Sequence, residues 1–201
     1  MRRLIAATVL SVLALGAATA CGGGDVVTEP KSKSKPKSAD VTSGSKSKKP
    51  AADEPQDSSE RSGKAKVGDT LALKGLKGGS RLDVTVEKFV DPAKPSSQFL
   101  EPATGKKWVA ALFKLDNKGG EAYEDSPING AQVADKTGQR FQATIADVTA
   151  GPSMAAVVKL PPGETARGWL VFEVPEDSAI TSAQWTPDSG FADDTGQWQI
   201  R

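Results

Sequence analysis

The sequence from Val67 onward predicts an all-β fold, an antiparallel β-sandwich, and three observations carry that expectation. Apolar and polar residues alternate with a period of two in Arg81-Leu-Asp-Val-Thr-Val-Glu87, the signature of a half-buried strand, and Gly168-Trp-Leu-Val-Phe-Glu-Val-Pro175 sets Leu170, Phe172 and Val174 on one face. Clusters of turn-forming residues, such as Lys77-Gly-Gly-Ser80 and Lys136-Thr-Gly138, separate such stretches. No segment sustains a helical period.

The strands follow in order. Thr70–Leu76 alternates and joins Arg81–Glu87 through the Lys77–Ser80 turn, which predicts a hairpin. Leu82, Val84 and Val86 share one face. Lys107–Asn117 is apolar on both faces at first and predicts a central strand, which Asn117-Lys-Gly-Gly120 ends. Gln132–Asp135 and Gln139–Ala143 pair around Lys136–Gly138. Val157–Leu160 runs into Pro161-Pro-Gly-Glu-Thr165. Gly168–Pro175 is the strongest strand; Leu170, Phe172 and Val174 share its inward face, and Pro175 stops it because proline cannot continue a ladder. Ile180–Trp185 and Gln197–Ile200 are weaker. About seven or eight short strands at this spacing make a sandwich.

The chain ahead of this domain is built differently. Arg2 and Arg3 precede an apolar run from Leu4 that ends in Ala18-Thr19-Ala20-Cys21. Charge, length and small-residue ending are those of a secretory signal, and the run is shorter than the roughly 20 apolar residues of a spanning helix. The ending resembles the lipobox of bacterial lipoproteins. Cys21 is the sole cysteine and stands at the lipid-accepting position, although Ala18 occupies the place where leucine is usual. The resemblance implies a lipid attached to Cys21 and a protein held on the extracytoplasmic face of the cell membrane. Plain secretion is the alternative, because Ala18-Thr19-Ala20 also satisfies the ordinary cleavage rule. A diacylglyceryl thioether would supply two acyl chains, which anchor stably where one binds marginally.

Residues 22–66 are rich in Ser, Lys, Pro, Ala, Asp, Glu and Gly, with basic blocks at Lys31–Lys37 and Ser45–Lys49. So few apolar groups cannot offset the entropy of ordering the chain, and a disordered tether is expected, with an r.m.s. span on the order of 35 Å. The expected organisation is a signal peptide over 1–20, a tether over 21–66 starting at lipidated Cys21, and one folded domain over 67–201. The lysines lack interleaved aromatics for stacking on bases, so no nucleic-acid partner is expected. Ser43-Gly-Ser-Lys46 matches a nucleophile pattern. It arises here from a Ser/Lys repeat, and a disordered chain cannot preorganise a nucleophile.

The order of motifs over Val67–Arg201 is similar to that of the DUF4352 family and of the related mycobacterial secreted antigen of the MPT63 type. Those motifs are Val67-Gly-Asp69, the central Trp108–Asn117 strand ending in asparagine, Asp135-Lys-Thr-Gly138 with Phe141, and Leu160-Pro-Pro-Gly-Glu164 followed by Gly168–Pro175. The resemblance implies an immunoglobulin-like sandwich in an exported protein or lipoprotein. It implies no catalytic residue.

Composition narrows the chemistry. The net charge is +1 and histidine is absent, which removes the commonest general base and metal ligand. A lipid-blocked Cys21 offers no thiolate. Asp188, Asp193 and Asp194, and likewise Glu121, Glu124 and Asp125, read as solvated turns rather than a cation site. No cofactor and no metal are expected. Trp108 and Trp169 fall in the two strongest strands and are expected in the core. Trp185 and Trp198 lie in more polar strands, where they either cap the sandwich or form an exposed aromatic platform. Asp91–Gly105 is a long loop carrying Phe99 and Leu100, and long loops on rigid sandwiches often carry binding. The function expected is therefore a surface-displayed, non-enzymatic module that binds a protein or cell-wall ligand through Phe99, Leu100, Trp185 and Trp198. The alternatives are a structural or sensory subunit of a membrane or cell-wall complex and, behind it, a hydrolase with a carboxylate pair.

Overall fold

The computed structural model describes residues 26–31 and 64–200. The expected signal peptide, Cys21 and the basic blocks beyond Lys31 lie outside them. Among the described residues, eleven strands and two single-turn helices appear in the order β1 (Val26–Val27), β2 (Thr70–Lys74), β3 (Arg81–Val90), β4 (Lys106–Asn117), β5 (Tyr123–Asp125), α1 (Pro127–Gly130), β6 (Ala131–Asp135), β7 (Arg140–Thr144), β8 (Val158–Leu160), β9 (Thr165–Pro175), β10 (Ile180–Trp185), α2 (Pro187–Gly190) and β11 (Thr195–Gln199).

Nine strands form one continuous ladder, β1-β11-β10-β6-β7-β9-β4-β3-β2, which folds over at β7 to make the two layers of the predicted sandwich. The first residues of β7 pair with β6, through Phe141 with Val133. The last two pair with β9, through Ala143 with Phe172 and Thr144 with Val171. A strand that switches sheets in this way makes a corner of the sandwich. One layer is β2-β3-β4-β9, the other β6-β10-β11 with β1. Between them lie the fully buried Leu71, Leu73, Leu82, Val84, Val86, Val109, Phe113, Leu115, Phe172 and Val174, facing Val133, Ala183, Trp185 and Trp198.

The longest pairing joins β4 to β9 from Lys106–Pro175 to Asp116–Thr165, which brings the two strongest strands of the sequence side by side. β3 runs beyond Glu87, where its alternation appeared to end. A β-bulge sets Val86 opposite Phe113 and Lys88 opposite Leu112, leaving Glu87 unpaired, so the side-chain period breaks there while the strand continues. The β6–β7 hairpin is closed by Asp135, whose Oδ1 accepts from Thr137 N (2.8 Å), Thr137 Oγ1 (2.6 Å) and Gln139 N (3.1 Å). Those bonds, the Thr137 hydroxyl first, hold its carboxyl below the usual carboxylate range. Buried Asn117 ends β4 and donates to Glu121 O (2.7 Å) and Leu160 O (2.8 Å), tying it to the small β5–β8 sheet.

The expected domain start at Val67 moves toward the amino terminus. Ala65 is fully buried. Val26 and Val27 pair in parallel with Thr195 and Gly196 of β11, and Val27 packs against the core. An unbroken tether over 22–66 is thereby corrected for residues 26–31. Val27 buries apolar surface against the core while Val26 stays exposed, and pairing along the open edge of β11 gives the segment the backbone partners it lacks alone.

Candidate interaction surface

Strand β4 is apolar on both sides because it separates two cores. Val109, Ala111, Phe113 and Leu115 face the main core. Trp108, Ala110 and Leu112 turn outward into a satellite cluster with Ala93, Ala146, Val148, Trp169 and Val171. The expected burial of Trp108 and Trp169 holds, in this second core. Its cover is the Asp91–Gly105 loop and the segment after β7.

The cover is braced at several points. Lys107 Nζ lies 2.8 Å from Asp91 Oδ1, and Ala93 N donates to Trp108 O (2.7 Å). Glu173 Oε2 accepts from Trp108 Nε1 (3.3 Å) and Ala103 N (3.2 Å). The two covering segments pair with each other, with Pro95 bridged antiparallel to Val148, Ser96 N donating to Asp147 O (3.0 Å) and Thr149 N to Lys94 O (2.9 Å).

This pairing sends Phe99 and Leu100, just beyond Ser96, and Ile145, just before Asp147, to the same rim. All three are exposed: Phe99 at 89%, Ile145 at 87% and Leu100 at 48%. Large apolar side chains this exposed, on a braced loop, have the form of interface anchors.

The aromatic platform is not built. Trp185 and Trp198 are both fully buried, which removes them from the expected partner-binding residues. Trp185 Nε1 donates to Pro127 O (3.2 Å) and Trp198 Nε1 to Asp69 O (2.9 Å). The Trp198 ring meets Phe113 edge-on at 6.2 Å. It lies over Gly196, where an added Cβ would come within 2.7 Å of it. Both indoles thus fill the core and satisfy their N–H on backbone carbonyls.

Sequence reasoning missed a polar network at one end of the sandwich. Tyr123 and Asp125, both buried, face the α2 turn. Tyr123 Oη donates to Asp125 Oδ2 (2.6 Å) and accepts from Asp188 N (2.9 Å). Asp125 Oδ1 accepts from Ser126 N and Ser189 Oγ, both at 2.7 Å. Burial, and donation to Asp125, push the Tyr123 hydroxyl above its usual range. Asp188 and Ser189 sit in the left-handed region at φ 53° and 57°, where Asp188 Oδ2 accepts from Leu76 N (2.7 Å). Asp194 Oδ2 accepts from Lys74 N (2.9 Å). Asp125 is therefore a buried acceptor instead of a solvated turn residue, and Asp188 and Asp194 latch the α2 segment onto the β2–β3 hairpin. The adjoining cavity, beside Lys77, Ser80, Glu124 and Asp188, holds about 60 Å³, far below the few hundred of an organic-ligand site. Among the described residues no group of three or more His, Cys, Asp or Glu side chains is placed to hold a metal ion.

Comparison with known proteins gives a family and a fold. A family model described as a domain of unknown function, DUF4352, matches residues 77–194. No curated protein matches. Among solved structures, ycdA of Bacillus subtilis, described as a candidate lipoprotein, aligns at a TM-score of 0.50 and 12% identity, covering 68% of this chain and 39% of that one. The secreted protein MPT63 of Mycobacterium tuberculosis aligns at a TM-score of 0.48 and 19% identity, covering 67% and 95%. The yjhA protein of Bacillus subtilis aligns at 0.48 and 14%, covering 68% and 99%. The family match takes in more than half of the sequence, and the chain belongs to the DUF4352 family.

Proposed function

We propose that this chain is a lipid-anchored, non-enzymatic binding module on the extracytoplasmic face of the cell membrane, and that it holds a protein partner through the Phe99–Leu100–Ile145 rim. The carrying observation is the exposure of Phe99 at 89% on a loop that the Asp91–Lys107 pair and the Glu173 bonds brace from both ends. A rigid base keeps the ordering cost of binding low, so more of the apolar burial appears as affinity. Truncating an aromatic anchor of this kind costs about 2 kcal/mol or more of binding.

Two further observations support the reading. The buried carboxylate Asp125 has its oxygens occupied by Tyr123, Ser126 and Ser189, an arrangement that braces a turn. The signal-like leader ending at Cys21 supports export and anchoring.

The test is a photo-crosslinking residue at Phe99 in intact cells, with a second probe at exposed Val157 as control. The expected result is a discrete crosslinked protein at position 99 and none at 157. Crosslinks to wall glycan alone would replace the protein partner with a wall ligand. Equal, diffuse labelling from both positions would refute the rim.

A further inference from the structure

The short strand β1 lies close in sequence to the proposed anchor and far from the rest of the domain. Its placement bears on how the protein stands on the membrane. Val26 and Val27 pair with β11. Thr28 O accepts from Ala65 N (2.5 Å), and Lys31 N donates to Thr70 O (2.8 Å). Residues 26–31 thus run along the sandwich from the β11 edge toward the β2 edge, and the chain returns beside them at Ala65.

The last residue of this run supplies a charge that the sheet needs. Asp83 on β3 stands directly opposite Asp116 on β4. Like charges so placed are unfavourable. Asp116 has Lys114 Nζ at 2.8 Å on its own strand. Asp83 has Lys31 Nζ at 2.6 Å, its side chain being 6% exposed, and its other oxygen is buried without a partner. A buried carboxylate that loses its counter-ion becomes an uncompensated charge, so the Lys31–Asp83 pair favours the docked segment.

Resting on the lipid-anchor reading, we propose that β1 and Lys31 dock the chain next to Cys21 onto the sandwich, so that the domain lies against the bilayer surface and the lysine-rich stretch adds nothing to its reach. Five residue steps separate Cys21 from Val26. At most ~3.6 Å per step, they reach about 18 Å. A free tether through residue 66 would span on the order of 35 Å and stretch much further. Because Thr28 and Ala65 are hydrogen-bonded to each other, the chain between them leaves and returns at one place. The partner of this edge is a phospholipid headgroup surface.

The experiment uses the full lipidated protein, purified from membranes and reconstituted into vesicles of phosphatidylcholine and phosphatidylglycerol that carry an energy-transfer acceptor on their headgroups. The donor is a fluorescent non-canonical residue at Lys66. Deleting residues 36–60 should leave transfer unchanged, because that stretch does not set the distance. A second variant, Val26→Cys with Thr195→Cys, joins paired residues on strands about 4.8 Å apart, within disulfide reach. Its oxidation should proceed readily and also leave transfer unchanged. Transfer that rises on deletion or on oxidation, or a pair that does not oxidise, overturns the docking. Wild-type protein that does not float with the vesicles overturns the anchor instead, while oxidation of the pair in solution still reports the docking.

Discussion

Replacing Phe172 by alanine tests the main core, and its expected cost follows from the structure. The side chain is fully buried on β9, and its strand pairs on both sides, with Val109 of β4 and Ala143 of β7. Removing the ring withdraws on the order of 100 Å² of apolar area from the core, about 2.5 kcal/mol at ~25 cal/mol per Å². The two paired neighbours leave little room for collapse. A cavity on the order of 80 Å³, at ~24 cal/mol per Å³, adds about 2 kcal/mol. The sum, about 4 to 5 kcal/mol, is a large share of the ~5–15 kcal/mol that holds a domain of this size. With a urea dependence on the order of 2 kcal/mol per molar, the unfolding midpoint should fall by about 2 M. Phe99→Ala is the internal reference, because the same chemical change at 89% exposure should move stability by no more than about 0.5 kcal/mol. Equal midpoint shifts for the two variants would refute the assignment of inward and outward faces.

Tyr123 and the two depressed carboxylates give the remaining expected outcomes. Tyr123→Phe removes a hydroxyl that donates to Asp125 and accepts from Asp188 N; it should cost about 1–3 kcal/mol by leaving buried partners unsatisfied, measured by urea unfolding at neutral pH. Tyr123 also has a folded-state pKa raised above 10.0, so its native form keeps a proton that the unfolded chain releases; stability should decline as pH rises beyond about 10, and the Phe variant should lose that decline. At acid pH, Asp135 and Asp116 are both depressed below 3.8. For Asp116 burial opposes the shift, and the bonds from Lys114 and Thr165 outweigh it. Their contribution is complete above the unfolded carboxylate range and is lost as pH falls through the folded values, so stability should drop below about pH 4. Asp135→Asn, which keeps the acceptor oxygen without the titration, should flatten that drop; an unchanged acid limb in this variant would contradict the hairpin's role.

Much of the fold was legible because the strong strands obey local rules. Leu170, Phe172 and Val174 alternate with residues of the opposite face, and Lys107–Asn117, apolar on both sides, proved to divide two cores. The Trp198 strand was also legible in principle. Gln197 and Gln199 alternate with Gly196 and Trp198, a period-2 pattern, but glycine hid the inward face by offering no side chain. Its reason is spatial, since it clears room for the indole. The Tyr123–Asp125 network could not be read locally. Its strand is three residues long, and its partners, β8 and α2, come from distant parts of the chain. Residues 26–31 escaped notice because two valines in a polar stretch carry no period. Only the open edge of β11 and the unmet charge of Asp83 give them a place. The Asp91–Gly105 loop was legible as a long Pro-rich insertion, while Ile145 is brought toward it only through the Ser96–Asp147 pairing.

The proposed function places partner binding on the exposed rim of Phe99, Leu100 and Ile145, and not on the core or the Tyr123 network. Proximity labelling in intact cells, run on wild type and on a Phe99→Ala, Leu100→Ala, Ile145→Ala variant with thermal unfolding measured alongside, tests it most directly. The predicted result is a discrete set of neighbours labelled by wild type and lost from the variant, with the unfolding midpoint unchanged. The same neighbours labelled by both proteins, or capture and stability falling together, would contradict it.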